Sequence, residues 1–595
     1  VGGTELDSSL ISGDFTLSSN GDVTQSVVAG SDNDAYLQVG GELTINGGTL
    51  QQGDSLSNLL GGGATGGTRQ DNEIRLNGVI TLSMADGKLI GTNGSQTQEV
   101  TGADLDDVRV LSLSGGKSIT FGGTGGDVVT LGTAANAVKG KLKINTAGSF
   151  ADSGSSLQTG IRQTNQLSLA DAYFEVQSSS LNTTPDLATG VGVINLSDSA
   201  NSFTGTVGAR ARDMDIVLTS SSDLELGNIT GAKVVLDAAT NAITQSGIVS
   251  ATDLLLNSAG AVTLTGDNRV GSLAAGSVAG LNFTNAQTLV VGSIDGSDGI
   301  TSSAAVTLTA DDMTLDQAIT AAGQALTLQT RSAATAINVG LATEAADDFD
   351  LEASELAQLT DGFSSITIGN SEAGTIAVAA ATFADKLELV SGAGGINISG
   401  ELSTGSNDLI LDTTGAVTQS AAISAAGLGI LNASEATLSN TLNDVTTLAA
   451  DYLTGDLTFV DAHTLLIGSV NPTGISCTAG SSCAVDISTL SGDLSVNEDI
   501  IASSVVLNAG DATAAGTASG GNITVAEGKS ITATSALLYT GSIAGSTNVA
   551  ALIDAGSGNF RYNGDETTVY SGAAALADIG SYAIYREQPI LAVTP

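Results

Sequence analysis

Apolar residues recur at every second position in short runs along almost the whole chain. In GDFTLSSNGDVTQSVV and AYLQVGGELTINGGTLQQ, Phe15 and Leu17 alternate with Thr16 and Ser18. Leu37 and Val39 give way to a glycine pair before Leu43 and Ile45. The breaks are Gly, Asn, Asp or Ser. A period of two, interrupted by turn residues, predicts strands in series. The exception is ATEAADDFDLEASELAQLTDG (342–362). There Leu351, Leu356 and Leu359 fall near one helical face, acids cover the other, and Gly362 can end the element. This predicts a short helix decorating the side of the fold.

One passage is written twice, at 242–300 and 416–475. Thr244-Gln245-Ser246 matches Thr418-Gln419-Ser420, Leu256-Asn257 matches Leu431-Asn432, and Leu273-Ala274-Ala275 matches Leu448-Ala449-Ala450. Phe283 falls on Phe459 and Gly292-Ser293-Ile294 on Gly468-Ser469-Val470. Strand-sized units inside a long internal repeat predict an all-β solenoid of stacked rungs, each roughly 20–25 residues. Val, Ile, Leu and Ala are expected inside; Thr, Ser, Asn and Asp are expected outside. The shaft is assigned to 1–550. Residues 551–588 gather Phe560, Tyr562, Tyr570, Tyr582 and Tyr585 with Arg561 and Arg586. A solenoid's last rung leaves an open edge, so this aromatic stretch is read as a cap or joint. Residues 589–595, bounded by Pro589 and Pro595, read as an exit linker.

Composition narrows the picture. The chain has 76 Gly, no Trp and only 4 Pro, and scarce proline suits uninterrupted ladders. The formal charge of −44 excludes nucleic acid as a natural partner and disfavours an anionic membrane surface. No apolar run is long enough to insert into a membrane, and no signal peptide is visible, so Val1 reads as the start of a processed or excised piece. Cys477 and Cys483 have five residues between them. A local disulfide in an oxidising compartment is the preferred reading. Two buried thiols, or half a zinc site, are the alternatives.

Candidate chemistry is thin, and no catalytic or cofactor-binding residue is assigned. Gly61, Gly63 and Gly66 form a G-x-G-x-x-G, but strand-like sequence follows where a dinucleotide site needs a helix. The tripeptides Gly116–Ser118 and Gly528–Ser530 lack the glycine a phosphate loop requires; Leu111 and Ile523 stand there instead. The sole histidine, His463, matches Gln287 in the other copy, which argues against a general base and for an exposed turn or strand-edge residue. Acidic clusters supply weak calcium candidates in Asp32, Asp34, Asp311, Asp312, Asp347 and Asp348. None matches a calcium loop motif, so calcium stands as a candidate cofactor only and no metal site is assigned.

The doubled passage, LEASELAQLTDGFSSITIG (351–369) and YAIYREQPILAVTP (582–595) resemble the filamentous haemagglutinin family of large bacterial exoproteins. The resemblance implies a right-handed parallel β-helix forming an elongated rod. It also implies export through an outer-membrane transporter partner and placement on the cell surface or in the medium. The implied role is a non-enzymatic adhesin shaft, binding a host-cell, sibling-cell or exopolysaccharide surface. Two alternatives stand beside it: a self-associating subunit of an extracellular filament, and a carbohydrate-active β-helix enzyme.

Overall fold

The computed structural model describes residues 193–211, 215–257, 260–342, 348–554 and 556–589. Before these it describes separate strands and short turns between Ser9 and Val176. The chain divides into two units, Val1–Ala251 and Thr252–Pro595. Each is a stack of parallel coils, so the protein is an all-β solenoid.

In the first unit, Val110 stands opposite both Ile74 and Ile144, Ile144 opposite Phe174, Phe174 opposite Ala209, and Ala209 opposite Ile229. Ile74, Val110, Phe174, Ala209 and Ile229 are buried. Successive coils thus place one apolar residue above another, and each column is a strip of core. The antiparallel run Ile80–Ala85, Lys88–Thr92 and Thr97–Thr101 interrupts the parallel order. Its Asn93-Gly94 turn is held by Asn93 Oδ1, which accepts from the amides of Ser95 and Gln96.

The second unit shows the coil most plainly. Leu387–Ser391, Ile396–Ile398 and Leu402–Ser403 form three sides of one coil. Asp408–Thr413, Ala416–Gln419 and the start of Ile423–Leu431 repeat them directly above. Parallel pairing at the ordinary inter-strand spacing requires close corners. Gly395 supplies one: its φ is 80°, and a Cβ there would lie 2.4 Å from the carbonyl oxygen of Ala416. One wall runs as a twelve-stranded sheet from Phe349–Glu352 to Phe560–Tyr562. Its inner column includes Ile376, Ile396, Val417, Ala436, Leu457, Val485, Val505 and Ala536, all buried. Burying each larger aliphatic side chain contributes roughly 1.5–3 kcal/mol before entropy is counted, and the terms add coil by coil.

The matched apolar positions of the two copies are interior: Phe283, Phe459, Leu273–Ala275 and Leu448–Ala450 are all fully buried. One pairing shifts. Leu256 is buried whereas Leu431 is half-exposed, and the burial alternation aligns Leu254 and Leu256 with Leu428 and Ile430. The one-residue slip falls on the following loop.

Two expectations are corrected. The segment 342–362 is not one helix, and its residues 343–347 lie outside the described residues: Phe349–Glu352 is a strand paired with Ile337–Leu341, followed by the single turn Ala353–Leu356. Phe349 and Leu351 alternate inward, and their burial in the coil outweighs the helical spacing of the leucines. Nor are the polar residues all outside. Asn201, Asn268, Asn285, Asn443 and Asp461 are fully buried at coil corners, where they bond to backbone groups.

At the C-terminal end, Gly580–Tyr585 pairs with Ser535–Thr540, and Phe560–Tyr562 lies outside it. Tyr585 stacks on Tyr562 at 5.5 Å and on Phe560 at 6.5 Å. Arg561 lies 5.2 Å from the Tyr582 ring and 6.0 Å from that of Tyr570. Arg586 is buried, donating to the Ala509 carbonyl at 2.6 Å and pairing with Glu566 at 3.4 Å. Residues 590–595 of the expected linker lie outside the described residues. No described helix is long and apolar enough to cross a membrane.

Candidate functional site

Among the described residues, two places concentrate polar chemistry. The first is a pocket of about 300 Å³ beside Ala353–Leu356, with Met313 and Leu315 in its lining and Asp316, Asp350, Glu352 and Glu355 at its sides. The helical turn exists because Glu355 closes a capping box, its Oε2 accepting the Glu352 amide at 2.6 Å. Its Oε1 accepts from the Leu315 amide at 2.9 Å, tying the turn to the neighbouring strand. Burial pushes the Glu355 carboxyl above its ordinary value, Glu352 and Asp312 add to this, and the two amides oppose it. Asp350 is buried, accepts from Asn338 Nδ2 at 2.7 Å, and donates its amide to Asp312 at 3.3 Å.

The acidic residues singled out from sequence divide accordingly. Asp312 and Asp348 come to this region, Asp348 accepting from Asn338 at 3.2 Å. Asp311 turns elsewhere, to Ser332 Oγ at 2.6 Å and Arg331 at 3.6 Å. Asp32, Asp34 and Asp347 lie outside the described residues. Glu355 and Asp350 carry more of the geometry than the flagged aspartates. The Glu352–Glu355 spacing of a capping box was the signal available in sequence.

The second place is the corner formed by Asp444, Asp461 and His463, which bring one side-chain ligand atom each within 4.8 Å of one another. Asp461 belongs to Leu457–Asp461 and is fully buried. Its Oδ2 accepts the Val445 amide and its Oδ1 the His463 amide, both at 2.8 Å. His463 is exposed, as its turn-like sequence suggests, with Nδ1 3.3 Å from Asp444 Oδ1. Burial raises the Asp461 carboxyl to about 6 against the two amides; Asp444 raises it further and His463 lowers it. Since both Asp461 oxygens are engaged by the backbone, the trio is read as a hydrogen-bonded corner.

Elsewhere, Cys477 and Cys483 are joined by a disulfide with Cα atoms 6.0 Å apart. Lys529 of Gly528–Ser530 pairs with Glu498, while Asp499 accepts from both the amide and hydroxyl of Ser530. That turn is occupied by its own carboxylates. Gly61–Gly66 and Gly116–Ser118 lie outside the described residues. Compared with known proteins, the chain matches no family model, no curated protein and no solved structure.

Proposed function

We propose that this chain is the shaft of a bacterial surface or secreted adhesin, exported with a partner transporter and acting without catalysis. The observation that supports it is the contrast between the two copies. Apolar interior residues keep their type, as at Phe283 and Phe459, while an exposed position changes from Gln287 to His463. A scaffold needs the first and tolerates the second; an active site needs an exterior held fixed. Strong negative charge keeps such a surface soluble and biases it against other acidic polymers.

The test is attachment. Beads coated with the purified chain are mixed with bacterial cells, epithelial cells and neutral exopolysaccharide, beside beads carrying heat-unfolded chain. Retention of one of these by the folded chain alone is expected. No retention of any of them, with continuous fibres under the electron microscope, would replace the shaft by the filament subunit. Turnover of a polysaccharide would replace it by the enzyme.

A further inference from the structure

The two sequence copies build the same corner with one chemical difference. In copy one, the Val270 amide donates to Asn285 Oδ1 at 2.8 Å. In copy two, the Val445 amide donates to Asp461 Oδ2 at 2.8 Å. Below each sits an asparagine with equivalent bonds: Asn268 Nδ2 donates to Leu264 and Thr284 carbonyls, Asn443 Nδ2 to Leu438 and Val460 carbonyls. The backbone frame is therefore shared. The other half of the side chain differs. Asn285 Nδ2 donates to the carbonyls of Val270, Gln287 and Thr288. Asp461 Oδ1 instead accepts the amide of His463, the position matching Gln287.

We propose that the Asp461 corner is a two-state turn operated by one proton. Ionised, Asp461 has only acceptors and holds the His463 amide. On taking a proton from solvent at Oδ1 it gains a donor and loses that acceptor. Like Asn285 it then carries an acceptor on one atom and a donor on the other, one proton where the amide has two, and the turn shifts toward the arrangement seen in copy one, with one turn carbonyl accepting. The Val445 bond to Oδ2 persists in both states. The charged groups facing Asp461 are Asp444 on the preceding coil and His463 on its own turn. The following coil presents Thr489 and the uncharged Leu490-Ser491-Gly492 turn. Asp493 there accepts from the Asn522 amide instead.

Hydrogen exchange of the intact chain, resolved to single amides and corrected for intrinsic rates, tests this at about pH 4.5 and about pH 7.5. Wild type is expected to lose protection at the His463 amide on acidification while keeping it at Val445. Asp461→Asn is expected to show the acid pattern at both values, and His463→Gln, which installs the residue of copy one, to keep the wild-type response. An unchanged pattern in wild type would overturn the proposal. So would a response that survives in Asp461→Asn, or one that vanishes in His463→Gln, which would make the imidazole the sensor.

Discussion

The guanidinium of Arg586 reaches the carbonyl oxygen of Ala509 at 2.6 Å, 77 residues earlier in the chain. The same group contacts Asn508 and, at 3.4 Å, Glu566. One buried side chain thus fastens the final strand, the 508–511 turn and the loop at 566. Arg586→Met keeps the aliphatic stem and removes the donors. We expect a loss of about 3 kcal/mol, confined to the C-terminal coils. Limited proteolysis should cut first within 541–589, and uniform loosening of the chain would contradict the assignment.

Phe459→Ala empties a fully buried site between stacked coils. The expected cost is about 3–5 kcal/mol. Phe283→Ala should cost a similar amount, since both rings fill equivalent coils. Urea unfolding of the two variants checks both values, and a cost below ~1 kcal/mol at either site would place that ring outside the core.

Asp461 fixes a sign for the pH dependence. Its folded value, about 6, lies above the ordinary aspartate value of 3.8 because the carboxyl is buried. The folded chain therefore holds a proton that the unfolded chain releases. The stability tied to this group is fully present below pH 3.8 and is lost as pH rises through about 6. Asp461→Asn should match wild type near pH 4 and exceed it by on the order of 2 kcal/mol near pH 7.5. Urea midpoints across that range decide it. A variant less stable than wild type at neutral pH would count against the buried acid.

Reduction of Cys477–Cys483 opens a small loop. The chain-entropy estimate for a loop of this size is about 2 kcal/mol. Thermal melting with and without reductant should show a lower midpoint, with the far-ultraviolet spectrum of the folded state unchanged.

Gly429 lies under the loop that carries Asn471. A Cβ at Gly429 would fall 2.1 Å from the Asn471 carbonyl oxygen and 2.8 Å from Ile410 Cδ1. Gly429→Ala must lift that loop, and faster proteolysis near 470 is the expected readout.

What was legible in the sequence followed from periodicity. Phe283 and Phe459 announce the core because an inward residue has the same neighbours in each copy. Phe349–Glu352 is ambiguous in sequence because leucines at 351, 356 and 359 also satisfy a helix, and only pairing with Ile337–Leu341 selects the strand. The corner residues were hidden for a different reason. Asn443 and Asp461 belong to the residue types that mark exposed turns, and nothing local says that a coil will close over them. Arg586 reads as one cation among aromatics, because its partners lie 20 to 78 residues away.

The order of the last strands differs from that of the coils before them. Phe560–Tyr562 comes first in sequence, yet lies beyond Gly580–Tyr585, which occupies the place against Ser535–Thr540. Every earlier rung of this wall from Ile376–Val378 onward can be added by winding onto the one below. This one skips a place: the strand that follows Ser535–Thr540 in sequence is not the one beside it, and Phe560–Tyr562 joins the wall only through Gly580–Tyr585. Gly580–Tyr585 is therefore the bolt that holds the outermost strand to the wall, and Arg586, immediately behind it, is the catch.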